Sequence, residues 1–447
     1  MTPIISLAAY GTLGISLSVS NGFYHGVGLL LVLITLALSM VALRAPWSNA
    51  MERTAGAWLG PMLGVVVALG LMGLMVRRPG IYVPPETSLV WYRAGLIAVG
   101  LISLGYAAAG RFAPRWRFPA IALIYLALGI WVIEIVPSPA ADVWHVQQRA
   151  VQLLLRGEDP YAAFYTNIYG HTGLYGSGNL KDGRLYSLIY PPVVPILGIP
   201  GWLLVGDVRL SLLAAVAGTA VLVVAAGRAL GLPAGHVAEL GAIALLFHPR
   251  GYFLIEQAWV DPYLGLGAAA VCWALARHRR WPIRIALGIY LGAKQYAFLW
   301  LPILLGRSCP GRLRPRDAVG GIIVAAIIAL PFLVWDVDGF WRGMVLSPIT
   351  NPFRMDSLSG LVVVARATGI VLPAAISLVA AAAVIVCAIR WRRDRPGEVA
   401  LGGAAVFLAF FAFNKQAFLN YYWFAGVFLI LAATEAIAGA QRESARS

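Results

Sequence analysis

The chain has 447 residues, of which 60% are hydrophobic and 12% charged, and its mean hydropathy is +0.79. So much apolar sequence argues against a soluble protein and predicts a membrane protein with many helical spans. The net charge of +15 does not indicate a nucleic-acid partner, because most arginines stand in short clusters between apolar stretches, as cytoplasmic anchors do. Cys272, Cys309 and Cys387 lie within or beside apolar stretches and imply neither a disulfide framework nor a thiolate zinc site.

The first third of the chain contains five apolar stretches, each with roughly the 17 to 25 residues that a bilayer core requires. They run near residues 3–20, 24–43, 54–76, 88–106 and 118–135. One face of these stretches carries Arg44, Arg53, Arg111, Arg115 and Arg117. The positive-inside rule makes that face cytoplasmic, whereas Arg77 and Arg78 fall on the opposite face and break the rule locally.

The fifth stretch then ends outside, so the section 137–207 is expected to be an external loop of functional length. It opens with ADVWHVQQRAVQLLLRGEDPY, in which the apolar spacing predicts a surface helix from about Val143 to Arg156. The segment 188–205 is apolar enough to cross, but its four prolines argue against a continuous helix. We expect an interfacial or re-entrant helix there.

Later spans are expected near residues 208–227, 237–247, 256–276, 318–335, 370–389, 399–413 and 417–436. The segment 282–306 has arginines on both sides, so a single crossing would leave one cluster outside. Two half-helices meeting near Lys294, with both ends cytoplasmic, fit better. The sequence therefore predicts an all-α, polytopic transmembrane helical bundle of about 12 crossings, with one re-entrant hairpin and external interfacial helices.

With this topology, polar side chains converge on the external face, and ionisable groups at such depth are functional candidates because burying them unpaired is costly. They are Asp142, His145, Asp159, Tyr161, Tyr190, His248, Arg250, Glu256, Gln257, Asp261, Arg354, Asn414, Lys415, Gln416 and Asn420, with Lys294 pointing toward them.

This group suits one chemistry. A carboxylate such as Asp142 would take the proton from an acceptor hydroxyl, while Lys294, Lys415 or Arg250 would stabilise a departing phosphate. No metal is then required. Sugar rings could stack on Trp144, Tyr161, Tyr165, Tyr190, Trp259 and Tyr421.

Several of these residues also have plain structural explanations. Asp142 is the natural N-cap of its helix, and Asp159 in E-D-P-Y suits a turn. Lys294 could instead form a buried ion pair with a carboxylate. Lys415 could be an ordinary interfacial lysine at a helix end.

Two further groups of candidates also have structural explanations. His248 precedes Pro249 and could simply end a helix, while Glu256 and Asp261 are five residues apart, a spacing that does not put both carboxylates on one helix face. The tyrosine-rich run 161–190 also contains glycines and asparagines, which favours a binding loop over an interfacial belt.

The order of several short motifs resembles a known family. An aspartate follows an early span, then come a helix, G-E-D-P-Y, Y-P-P, an external corner with a glutamine, L-G-A-K-Q before a proline, and F-N-K-Q-A-F-L-N-Y-Y. This order is similar to that of the membrane-embedded type C (GT-C) glycosyltransferases, nearest the polyprenyl-phosphate-mannose-type mannosyltransferases of family 87. The likeness covers roughly residues 118–306, and it departs where Glu256-Gln257 replaces Gly-Gln and where five spans precede Asp142.

The resemblance implies a multi-pass cell-membrane enzyme without a cofactor, whose active site lies on the extracytoplasmic side. The donor would be a polyprenyl-phosphate sugar, with mannose or arabinose as the sugar, and an inverting transfer would deliver it to a glycolipid or glycan acceptor. Asp142 would be the catalytic base, Tyr190 and Pro191 would lie near the donor, and Lys294 would contact its phosphate. Membrane lipid is the other expected partner.

The full set of substrate-binding candidates is His145, Tyr161, Tyr190, His248, Glu256, Gln257, Gln295 and Gln416. We expect N-terminal helices in residues 1–110, a catalytic unit in 111–306 that carries the external loop 137–207, and C-terminal helices in 307–447 that complete the donor groove.

Two other functions compete with the transferase. A secondary transporter or a lipid or glycolipid flippase is favoured by broken helices and intramembrane charge, but it is disfavoured by the missing internal repeat and by the large one-sided loop. A polytopic scaffold within an envelope-synthesis complex would leave Lys294 unexplained.

Overall fold

A computed structural model describes residues 2–44, 49–109, 115–170, 173–232, 237–306, 313–391 and 397–446. Arg111, Cys309 and the expected domain boundaries at 110/111 and 306/307 lie at or beyond the edges of these described residues. Within them the fold is an α-helical bundle, as predicted, with one very small sheet.

The N-terminal part forms five long helices: α1 (Thr2–Ser20), α2 (Gly26–Arg44), α3 (Asn49–Val76), α4 (Val90–Ala109) and α5 (Arg117–Ile135). All five predicted spans coincide with them. α1 and α3 run side by side in the same direction, because Gly11 approaches Val66 and Gly73 approaches Ser18.

A separate layer follows α5. It consists of α6 (Asp142–Leu155), β1 (Phe164–Tyr165), β2 (Leu180–Lys181), β3 (Arg184–Tyr186) and α7 (Val193–Val205). The strands form an antiparallel sheet in the order β1-β3-β2, with Phe164 opposite Tyr186 and Lys181 opposite Arg184. The all-α prediction missed this sheet, since strands of two or three residues are too short to show a period.

The predicted surface helix is α6, and its apolar face is buried as expected. Val146, Ala150 and Leu153 pack with Tyr161 and Leu185 in a core that is separate from the main one. α6 therefore lies across one end of the bundle, which we call the Asp142 end.

α7 is the short helix expected within residues 188–205, and it covers only the last 13 of them, because Pro191 and Pro192 precede it. Pro192 is the N-cap and Pro195 lies in the first turn, where an N–H has no partner within the helix. Only Pro200 stands inside the helix, which ends at Gly206 in the left-handed conformation.

The rest of the chain is helical. Its elements are α8 (Arg209–Ala229), α9 (Val237–Leu246), α10 (Gly251–Glu256), α11 (Asp261–Ala276), α12 (Arg280–Leu291), α13 (Leu301–Leu305), α14 (Pro315–Trp335), α15 (Val337–Trp341), α16 (Ser347–Thr350), α17 (Gly360–Thr368), α18 (Ala375–Trp391), α19 (Glu398–Ala412) and α20 (Leu419–Arg446). A 3₁₀ helix, Gln295–Trp300, precedes α13, and a π-helical turn, Arg342–Leu346, follows α15.

Seven helices of the described residues are long and apolar enough to cross a membrane. They are Thr2–Ser20, Gly26–Arg44, Trp58–Val76, Arg117–Ile135, Arg209–Ala229, Pro315–Trp335 and Leu419–Gly439. α4, with 20 residues, occupies the predicted span 88–106, and each of the remaining predicted spans contains a shorter helix. The total of about 12 crossings remains a prediction.

The segment 282–306 folds back on itself as expected. α12 ends at Leu291, and the chain returns through the 3₁₀ helix and α13. Arg280 and Arg284, at the start of α12, form ion pairs with Asp317 of α14 at 2.9 and 3.1 Å, so the hairpin begins and ends at one end of the bundle. Its tip at Gly292 packs against Val193 of α7, toward the Asp142 end.

The N-terminal helices share one apolar core with the rest of the bundle. α1 packs on α20, and α3 packs on α9. Between them, Pro249 fits into the space left by Gly14 and Gly73, whose missing side chains allow this close approach.

Candidate functional site

Asp142 is the first residue of α6, and two tyrosines of the same layer hold its carboxylate. The hydroxyl of Tyr175 donates to Oδ2 at 2.8 Å, and the hydroxyl of Tyr169 donates to Oδ1 at 3.2 Å. The N-cap position belongs to Ala141, which corrects the expectation that Asp142 caps the helix. The negative charge of Asp142 is still favourable in the first turn, because the N-terminal end of the helix dipole is positive.

The two tyrosines are permanent donors to this carboxylate. Burial, and then the charge of Asp142, raise the pKa of both Tyr169 and Tyr175 above the ordinary value. A carboxylate has about four lone-pair positions, so two donors leave acceptor capacity for another hydroxyl. Because Asp142 is only half-buried, that capacity is accessible.

A second carboxylate, Asp261, begins α11 and is completely buried. Its two oxygens lie 2.8 and 2.9 Å from Nζ of Lys294, and Oδ1 also accepts from the hydroxyl of Tyr296 at 2.8 Å. Asn420 donates to Oδ2 through its side-chain amide. Lys294 at the hairpin tip therefore forms the buried ion pair that its sequence context left open.

Lys294 keeps some capacity for a further ligand. An ammonium has three donors, and two of them point to Asp261. The ammonium also lies 4.5 Å from the ring centre of Tyr421 and 5.2 Å from that of Tyr296. Next to this pair, Oδ1 of Asn420 is buried without a hydrogen-bond partner among the described residues.

Two tyrosines are close enough to both carboxylates to interact with them electrostatically. Tyr190 interacts electrostatically with Asp142 and Asp261, and so does Tyr421. Burial, followed by the charge of Asp142, raises the pKa of Tyr190, so its phenol stays neutral. We call this set, namely Asp142, Tyr169, Tyr175, Tyr190, Asp261, Lys294, Asn420 and Tyr421, the two-carboxylate site.

Neither protein-family models nor curated proteins nor solved structures matched this chain. Among the described residues, no group of three or more His, Cys, Asp or Glu side chains could hold a metal ion.

His145 and Arg354 border Asp142. His145 lies one turn later on α6, where burial lowers its pKa and the charge of Asp142 opposes part of that effect. Arg354 interacts electrostatically with Asp142 and forms an ion pair with Asp356 at 2.7 Å. A cation and an imidazole thus stand beside the candidate base.

Three of the predicted residues hold a neighbouring segment, residues 344–352, in place. Lys415 donates to the carbonyls of Ile349 and Asn351 at 2.8 and 2.6 Å, and burial lowers its pKa. Gln416 donates to the carbonyl of Pro352 at 2.8 Å. Gln295, just after Lys294, donates to the carbonyl of Met344 at 3.4 Å.

Tyr161 lies inside the layer rather than on a binding surface. Its side chain is fully buried, and its hydroxyl donates to the backbone carbonyl of Tyr190 at 2.7 Å. Asp159 accepts from the backbone N–H of Tyr161 at 2.8 Å, which is the turn role considered from the sequence. Both residues therefore position Tyr190.

The corner between α9 and α11 contacts α1 and the loop after α3. Glu256 is fully buried and accepts from the backbone N–H groups of Ile81 and Tyr82 at 2.8 Å each, and the Gln257 amide adds a bond of 3.2 Å. Burial raises the pKa of Glu256, while these bonds oppose the shift. His248 packs edge-on against Tyr10, with 5.9 Å between ring centres.

Arg250 belongs to the same corner. Its guanidinium donates to the backbone carbonyl of Arg78 at 2.8 Å and lies 4.6 Å from the ring centre of Phe253. These contacts are with α10 and with the loop just after α3, and none of the described contacts of Arg250 is with Lys294.

The loop between α3 and α4 reaches the start of α6. Tyr82, whose backbone N–H donates to Glu256, also donates its hydroxyl to the carbonyl of Ala140 at 2.7 Å. Tyr82 was not predicted, because no motif marks it. Tyr169 and Tyr175 were covered only by the tyrosine-rich run, which could have suggested them as partners of Asp142.

Proposed function

We propose that the protein is an integral membrane glycosyltransferase that moves a sugar from a polyprenyl-phosphate donor to a glycolipid or glycan acceptor at the Asp142 end of the bundle. The observation that carries the proposal is the environment of Asp142: a half-buried carboxylate, oriented by two tyrosine hydroxyls, with acceptor capacity left and with cations nearby.

The reaction is a single displacement with inversion. Asp142 accepts the proton of an acceptor hydroxyl as that oxygen forms a bond to the anomeric carbon. The bond between the anomeric carbon and the donor phosphate breaks, and polyprenyl phosphate leaves with the electron pair. Tyr169 and Tyr175 fix the direction of the carboxylate, so the base is aligned before the acceptor arrives.

Cations of the site stabilise the charge that develops on the phosphate. Lys294 is the best placed, because its ion pair with Asp261 leaves it one unused donor at the tip of the hairpin. Lys415 and Arg354 hold the neighbouring segment and add positive charge at its edge. Tyr190 and Tyr421 supply aromatic faces for the sugar ring.

A second candidate is a transporter or flippase for a lipid or glycolipid. It is favoured by one observation, the buried pair of Lys294 and Asp261 beside a broken helix, which is a common arrangement in transport pathways. A transporter would not need the tyrosine-held carboxylate of Asp142.

The test uses purified full-length protein in liposomes, given a panel of polyprenyl-phosphate sugars and a mixture of glycolipid acceptors. The transferase proposal expects free polyprenyl phosphate to be released only when an acceptor is present. If labelled donor instead crosses the bilayer with its sugar still attached, the transporter is supported. If no donor of the panel is turned over, the transferase proposal is wrong.

A further inference from the structure

Three arginines gather at the Asp142 end of α3. The guanidinium of Arg250 donates to the carbonyl of Arg78 at 2.8 Å, and that of Arg78 donates to the carbonyl of Pro84 at 2.7 Å. Arg77 donates to the side chain of Asn21 at 3.2 Å. None of the three arginines forms an ion pair with a carboxylate of the described residues. Arg77 and Arg78 are also the two residues that break the positive-inside rule.

This concentration of positive charge is costly in the absence of an anion. Arg250 is only 3% exposed, and its Nε is buried without a hydrogen-bond partner. Burial and then the charge of Arg77 lower the pKa of Arg250 to about 10, although Glu256 opposes the shift. Glu256 carries a single negative charge, so it cannot balance the guanidinium groups of both Arg77 and Arg250.

An apolar groove leads away from Arg77 between α1 and α3. Its cavity has a volume of about 230 Å³. Arg77 and Pro249, the neighbour of Arg250, are among its lining residues. The groove runs from the level of Gly11 to that of Ser18, about 10 Å along the helix axis.

The groove faces the surroundings of the bundle. Its lining side chains Ile15, Met72 and Val76 are 42, 58 and 76% exposed. In a protein whose long apolar helices suit a bilayer, such a surface meets lipid chains. Basic residues next to it would meet lipid headgroups.

We propose that this groove binds one acyl chain of an anionic membrane phospholipid, whose phosphate lies at Arg77, the arginine that lines the groove. The phosphate brings negative charge next to the three arginines, and the acyl chain covers the exposed side of α1 and α3. A membrane phospholipid is a better occupant than the sugar donor, because Arg250 contacts Arg78 rather than Lys294. The site is thus separate from the two-carboxylate site.

The test measures lipid retention by the full-length protein. Wild-type protein and variants are placed in nanodiscs of phosphatidylcholine containing one part in five of phosphatidylglycerol, and lipids that remain after extraction into detergent are counted by native mass spectrometry. We expect wild-type protein to retain phosphatidylglycerol at least tenfold over phosphatidylcholine. Arg77→Gln and the groove-filling Ile15→Trp should each remove most of this preference. Arg93→Gln, which removes an exposed arginine at the start of α4, should keep it.

Two outcomes would overturn the proposal. The first is equal retention in wild type and Arg77→Gln, which would leave Arg77 only the role of neutralising the ends of α1 and α3. The second is displacement of phosphatidylglycerol by an equal fraction of polyprenyl phosphate, which would make the groove part of the donor site. No sugar donor enters the measurement, so its result does not depend on the proposed transferase activity.

Discussion

Nζ of Lys294 lies 2.8 Å from Oδ1 of Asp261, and the two residues are 33 positions apart in the chain. The lysine stands at the tip of a hairpin and the carboxylate at the first turn of α11. Both are buried, so each charge depends on the other for compensation. This pair fixes the hairpin tip beside Tyr190 and Tyr421, where the proposed donor phosphate would arrive.

Lys294→Met should therefore destabilise the protein strongly. It leaves Asp261 charged and buried with only the donors of Tyr296 and Asn420, and breaking a buried pair in this way costs about 3–5 kcal/mol. Thermal unfolding in detergent measures the effect, and Lys181→Met, at an exposed lysine, is the control. Adding Asp261→Asn to Lys294→Met should restore part of the loss. Equal melting of the Lys294 and Lys181 variants would show that the pair does not stabilise the fold.

Tyr175→Phe should slow the transfer without preventing folding. A hydrogen bond to a charged group contributes about 1.5–3 kcal/mol, so loss of the orienting hydroxyl should lower kcat about ten- to a hundredfold. KM should change little, because Tyr175 contacts the base rather than the substrate. Tyr186→Phe in β3 is the control. If both variants have the same kcat, Tyr175 does not orient Asp142.

The helices could be predicted from the sequence because hydropathy is a local property. Every predicted span contains a helix. The arginines on both sides of residues 282–306 correctly predicted that this segment folds back on itself. The start of α7 at Val193 was not predicted, because Pro195 fits the first turn of a helix only once the N-cap at Pro192 is known. The small sheet was missed because its pairing joins residues that carry no pattern of their own.

The candidate site was predicted less completely. Asp142 and Lys294 stood out as charged residues in apolar surroundings, but their partners did not. Tyr175 lies 33 residues from Asp142, and this contact depends on how the layer folds over α6. The same holds for Glu256, which looked like a substrate residue and instead binds backbone N–H groups 174 and 175 residues away.

Gly80→Ala should loosen the loop that Tyr82 extends toward α6. A Cβ at this position would lie 1.9 Å from Oε1 of Glu256, so the carboxylate or the loop must move, at a cost of about 1–3 kcal/mol. Gly64→Ala is the matched control, because no atom lies within 4 Å of a Cβ built there. We expect a lower melting temperature for Gly80→Ala alone. Equal melting temperatures of the two variants would show that the hydrogen bonds from the loop to Glu256 do not hold it in place.

His145 should make stability depend on pH. Burial lowers its pKa below 6.5, so the unfolded chain takes up a proton that the folded chain resists. The part of the free energy of unfolding that depends on neutral His145 is therefore fully present above about pH 6.5. It is lost as the pH falls through the pKa of His145 in the folded protein. Melting temperatures at pH 7.5 and 5 should differ less in His145→Gln than in wild type. His278→Asn should behave like wild type, and identical pH dependence in all three proteins would contradict the prediction.

If Asp142 is the base of a sugar transfer, its loss must slow the chemical step itself, which a single-turnover measurement isolates from donor binding. Purified wild-type, Asp142→Asn and Asp159→Asn proteins are loaded with labelled polyprenyl-phosphate sugar and mixed with acceptor in liposomes. Asp159→Asn keeps the oxygen that accepts from Tyr161, so it controls for a lost carboxylate in the same layer. We predict that Asp142→Asn binds donor like wild type but transfers the sugar at least a thousandfold more slowly, while Asp159→Asn transfers it at nearly the wild-type rate. Transfer by Asp142→Asn at the rate of Asp159→Asn would contradict the account.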